Sequence, residues 1–113
     1  MSVANIFNVP TSPEELEQWS TLHMILHRSE NAAILAQYQT VLEEYVLDPI
    51  DQTPNSAWFQ QHQLMHDNID AILNIAQFNL INVDWSNTAQ RIGWIQGHAQ
   101  LHQQETDALG VFA

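Results

Sequence analysis

One pattern occurs three times and constrains the chain more than any other feature. Trp19-x3-His23-x2-Leu26-His27, Trp58-x3-His62-x2-Met65-His66 and Trp94-x3-His98-x2-Leu101-His102 set the same residue types at the same spacing and use all six histidines. Repeats a few tens of residues apart build stacked helical units. At about 100° per residue, the first His of each copy lies about 40° from its Trp, the Leu or Met about −20°, and the second His about 80°. Trp, first His and Leu or Met therefore share a face, with His27, His66 and His102 towards its edge. Asn31, Asp70 and Thr106 occupy equivalent later places. Eleven residues after each Trp stand Glu30, Ile69 and Glu105, so a carboxylate ring at that level is incomplete.

Helix punctuation surrounds each copy. Ser12 suits an N-cap, Pro13 the first helical position and Glu15 the third, and no Gly or Pro follows until Asp48-Pro49. The spacing predicts one long helix to about Val46, or two in line. Thr53-Pro54 repeats the signal and predicts a second helix from Pro54 to about Gln77. Residues 78–86 mix apolar residues with Asn and Asp and read as a packed loop. Asn87 caps a third helix with Gln90 at its third position, and Gly110 ends it. Gly93 and Gly97 fall inside that helix, where close approach of another backbone or simple tolerance explains them. The expected fold is all-α: a small helical bundle of three principal helices packed antiparallel, the first long or broken. Residues 1–12 form an irregular N-terminal arm, and 13–113 a single helical domain.

Composition removes whole classes of function. With 45% hydrophobic residues and four Trp in 113, the chain folds. Lys+Arg total 2 against 13 Asp+Glu, a net charge of −11, and the two cations are Arg28 and Arg91. Direct nucleic-acid binding and attachment to anionic lipid are not expected. The sequence has no apolar run long enough to cross a bilayer and no basic start followed by an apolar run, so no membrane role is expected and synthesis is cytoplasmic. Without cysteine there is neither disulfide nor thiolate zinc site.

Trp19, Trp58, Trp94, Leu26, Met65 and Leu101 are the expected fold or interface anchors. His23, His27, His62, His66, His98 and His102, with Glu30 and Glu105, are candidates for tuning contacts or for ligating metal. Histidines four apart on a helix can address one ion, and His23, His27 and Glu30, or His98, His102 and Glu105, suit zinc or iron. The Glu-x-x-His motif of di-iron bundles is absent, however, and Gln63 rather than Glu follows His62, unlike a zinc protease. Packing is therefore the favoured role, with no metal or cofactor expected; protonation near pH 6.5 is a third use for the same rings. There is no phosphate loop, nucleophile elbow or calcium loop, and Ser20 and Ser29 lack the strained turn of a nucleophile, so no catalytic residue and no enzyme is expected. Glu43, Glu44 and Asp48 form an acidic cluster, read as a solvated face or a docking patch for a basic partner.

The segment from Phe78 and Leu80 through Val83-Asp84-Trp85-Ser86-Asn87, Gln90, Trp94-Ile95, His98 and His102 to Ala108-Leu109-Gly110 resembles small helical proteins encoded among the virion structural genes of tailed bacteriophages, especially marine ones. The resemblance implies a non-enzymatic virion component made in the host cytoplasm. It would be a capsid cement or decoration protein stabilising subunit interfaces, or a head-to-tail neck component, with Trp94, His98, His102 and Leu109 structurally important. Its partners would be the major capsid protein or neck proteins of the same virion, bound by a homo-oligomer or by many copies on a symmetric assembly. The rival expectations are a His-rich metal-binding helical bundle and an acidic host-interaction protein.

Overall fold

Local sequence sets where each helix begins. The Ser12 side chain accepts the Glu15 backbone N–H at 3.1 Å, with Pro13 in the first turn, and starts α1, Pro13–Tyr38. Asn87 does the same for the Gln90 N–H at 3.1 Å and starts α3, Thr88–Leu109. Gly110 ends α3 at φ 72°, its N–H and that of Val111 returning to the carbonyls of Asp107 and Thr106. These elements come from a computed structural model, which describes residues 3–45 and 49–111. The fold is a small all-α bundle of three principal helices with an N-terminal 3-10 turn, Val3–Phe7.

Two boundaries differ from the sequence expectation. α1 stops at Tyr38, where Gln39 takes a left-handed conformation at φ 51°, instead of continuing to Val46. Val46 itself and the stop at Asp48 lie outside the described residues. Thr53-Pro54 begins a turn rather than a helix. Asp51 accepts the Thr53 N–H, Asn55 sits at φ 56°, and α2 spans Ala57–Leu73 with Ser56 at its N-cap. Asn74 ends it in the left-handed region at φ 59°, short of Gln77.

The helices run parallel, not antiparallel. Trp94 lies 5.9 Å from Trp19 and 6.0 Å from Trp58, ring centre to ring centre, so the three Trp residues occupy one level. His27, His66 and His102 meet at another level, 4.5–4.7 Å apart. Trp precedes His on every helix, which fixes one common direction. The chain must therefore travel back along the bundle twice, and this explains the early end of α1. A return along the 17 residues of α2 covers about 26 Å and takes about eight extended residues. The connections between α1 and α2 and between α2 and α3, described over 39–45, 49–56 and 74–87, supply those returns.

Each return is packed. In 39–56, Leu42 joins the small apolar cluster of Ile34, Ile69 and Leu109 that closes the C-terminal end of the bundle, while Ile50 enters the main core. In 74–87, Leu80, Val83 and Trp85 are buried. The Gln63 side chain holds this segment at both backbone groups, donating to the Phe78 carbonyl at 2.8 Å and accepting the Leu80 N–H at 2.6 Å. Gly97 leaves room for Phe78, whose ring carbon would lie 3.4 Å from an added Cβ, whereas Gly93 has nothing within 4 Å. The N-terminal arm folds back over the other end. Ile6 is buried and its carbonyl accepts the Trp19 indole N–H at 3.1 Å. Among the described residues, no helix is long and apolar enough to cross a membrane.

Candidate metal centre

Below the Trp level the bundle axis is filled by imidazole. His23, His62 and His98, one from each helix, form an upper layer whose Nε2 atoms are 2.9–3.2 Å apart. His27, His66 and His102 form the layer beneath. The two layers are staggered: His66 Nε2 is 3.1 Å from His62 Nε2 and 3.0 Å from His98 Nε2, and His27 Nε2 is 2.9 Å from His23 Nε2. All six rings offer a nitrogen within 4.8 Å of every other. Ring centres lie farther apart, at 4.4–5.3 Å for neighbouring rings of the two layers, so the rings splay outward while the Nε2 atoms of His23, His27, His62, His66 and His98 approach one another. Six donors in two layers, all within 4.8 Å of one another, offer a six-coordinate shell to one ion.

The structure fixes the two layers by different means. Each upper ring stacks on the Trp of its own helix with centres 4.7 Å apart: His23 on Trp19 at 17°, His62 on Trp58 at 20° and His98 on Trp94 at 25°. Trp94 is itself anchored by donating to the Leu80 carbonyl at 2.9 Å. Two of the lower rings are held by carboxyls from the neighbouring helix. His66 Nδ1 is 2.9 Å from Glu105, and His102 Nδ1 is 2.9 Å from Glu30. A proton on Nδ1 leaves the Nε2 lone pair free, which is how carboxylates outside a metal site fix the tautomer of a ligating histidine.

Burial sets the charge states. All six histidines are at most 1% exposed. Loss of hydration holds His23, His27, His62, His98 and His102 well below their ordinary pKa, with neighbouring imidazoles adding to the effect, and lowers His66 to about 4. The rings are therefore neutral, as ligands must be. Burial also drives the carboxyls upward: Glu30 well above its usual range, Asp70 to about 9 and Glu105 to about 7, with mutual repulsion contributing at Glu30 and Asp70. Glu105 hydrogen-bonds with both Glu30 and Asp70, so the three carboxyls meet one another in the buried interior. Arg28 is exposed and Arg91 donates to the Trp85 carbonyl, so neither neutralises the group. Parallel helices also bring three negative dipole ends to this side of the site. Among the described residues this end of the bundle lacks a compensating cation.

The sequence singled out most of these side chains but not their meeting. Trp19, Trp58, Trp94, Leu26, Met65 and Leu101 are all buried. His27, His66 and His102 lie on the axis with the first histidines, not at an edge. Within-helix sets such as His23, His27 and Glu30 give way to layers drawn from three helices. Asp70 was missed as the third carboxyl, because α2 carries Ile69 where the others carry Glu; its signal was the place it shares with Asn31 and Thr106. Glu43 and Glu44 are exposed and remote from this cluster in sequence, with Glu43 accepting the Tyr45 hydroxyl at 2.8 Å.

The expectation of a capsid or neck component whose histidines merely tune contacts is corrected by this geometry. Side chains that only pack do not require six buried imidazoles to bring a ring nitrogen each within 4.8 Å of the others. No family model, curated protein or solved structure matches the chain.

Proposed function

We propose that the protein is a metal-binding helical bundle that holds one divalent transition-metal ion between its three helices. The observation that carries this reading is the set of six neutral imidazole nitrogens within 4.8 Å of one another. Imidazole suits the later first-row metals, and a dry, fully enclosed site made of neutral donors is otherwise expensive to build. Glu30, Asp70 and Glu105 supply the negative charge that balances the ion, and two of them fix the lower rings. With six protein donors the coordination shell is complete, which leaves no open position of the kind catalytic metals keep. The reading therefore assigns the ion to tight holding and to joining the helices, and assigns no reaction to the chain.

Native mass spectrometry and elemental analysis test this directly. The expected result is one ion per chain, as purified or after loading with iron, cobalt, nickel or zinc, and its loss in the doubly substituted His98→Ala, His102→Ala protein. A wild-type chain that stays ion-free after loading with all four metals would overturn the reading.

A further inference from the structure

The same ring geometry specifies which ions fit, an inference that rests on the reading above. Neighbouring donors in a regular octahedron are separated by √2 times the metal–donor distance. The Nε2 separations of 2.9–3.2 Å among His23, His27, His62, His66 and His98 thus correspond to metal–nitrogen distances of about 2.1–2.3 Å. Zinc ordinarily takes four donors in a tetrahedron at about 2.0–2.1 Å, which places neighbouring donors about 3.3–3.4 Å apart. To adopt that arrangement here, zinc would have to spread four rings and leave two buried imidazoles unbound. Magnesium and calcium call for oxygen donors, which the inner shell lacks.

Whether geometry selects among metals depends on how far the rings can yield. In each helix the two rings stand four residues apart on one rigid element. Trp19, Trp58 and Trp94 clamp the upper ring planes, while Glu30 and Glu105 hold two lower rings through Nδ1. Five of the six rings, all but His27, lose a stacking contact or a buried hydrogen bond on swinging outward. Rigid preorganisation of this kind turns a coordination preference into selectivity.

We propose that the site selects six-coordinate ions of the iron(II), cobalt(II) and nickel(II) series over zinc(II). Among these, nickel(II) binds tightest, following the general affinity order for nitrogen donors.

The test equilibrates the full chain with equimolar nickel(II) and zinc(II), both in excess over protein, in the presence of a weak competing chelator. Retained metal is measured after desalting. Nickel is expected to exceed zinc by at least about tenfold. The cobalt(II)-loaded protein is expected to show the weak visible bands of six-coordinate cobalt. Zinc retained at parity or in excess, or the intense bands of four-coordinate cobalt, would overturn the selectivity while leaving metal binding intact. Failure of nickel, cobalt and zinc alike to bind would instead remove the underlying reading. His23→Ala supplies a second readout, because it leaves five rings and ends the need for an octahedron. The nickel preference is expected to fall towards parity in that variant, and an unchanged preference would count against the proposal.

Discussion

Replacing Glu105 by Gln should change the ion-loaded and ion-free proteins in opposite directions. Glu105 accepts from His66 Nδ1 at 2.9 Å, lies 3.5 Å from His102 Nδ1, and is buried against two other carboxyls. Its pKa is raised from 4.5 to about 7, so at pH 8 the ion-free fold carries a buried charge that costs about 3 kcal/mol relative to the unfolded chain. Glu105→Gln removes that cost. It also weakens the hydrogen bond to His66, a loss of about 1–2 kcal/mol, and leaves a net gain of about 1–2 kcal/mol. Thermal unfolding at pH 8 in chelator should show a midpoint higher by about 5 °C. With an ion bound the carboxylate is wanted, both as the acceptor that strengthens His66 as a ligand and as countercharge. Loss of such an outer partner typically weakens metal binding about 10–100-fold, which chelator competition measures. If affinity stays within about twofold of wild type, or if the ion-free protein is destabilised, Glu105 is an ordinary packing residue and the reasoning fails.

Two further outcomes follow from the burial of the histidines and from the helix ends. Every histidine here has a lowered pKa, so the unfolded chain takes up protons below about 6.5 that the fold excludes, and ion-free stability should fall as pH drops from about 6.5 towards 4. Glu30, Asp70 and Glu105, whose pKa values are raised, act with the opposite sign, three groups against six, so thermal midpoints in chelator that stay flat or rise on acidification would contradict this. Gln39→Gly should raise the melting temperature by a few degrees, corresponding to about 1 kcal/mol, because Gln39 is exposed and occupies the left-handed region at φ 51°; a lower melting temperature would show that its side chain matters.

Much of this fold is legible in the sequence. Ser12 and Asn87 mark two helix starts, Gly110 marks an end, and the Trp-His repeat identifies the buried face of each helix. Helix direction was not legible by the usual route, since bundles most often join antiparallel neighbours through short loops. The repeat nevertheless contained it. Trp, His, His and a carboxyl follow in the same order on all three helices, and only parallel helices bring like to like. The antiparallel expectation hid this. The end of α1 was lost for the same reason: residues 39–45 carry no helix breaker, and they leave the helix because the chain must return to the Trp end. Asp70 was hidden by the one-residue offset that puts Ile69 in the place of a Glu.

The parallel arrangement bears on how the protein reaches its folded state. No two helices are joined by a tight hairpin, and the ring contacts between helices link residues at least 32 positions apart, reaching 79 between His23 and His102. Chains whose contacts are this remote fold slowly for their size, because loop-closure entropy is lost before any contact offsets it. An ion captured early by one His pair, and then by a second, would cross-link distant segments of the unfolded chain and shorten the remaining search. The folding rate, and not only the final stability, should then increase with metal concentration.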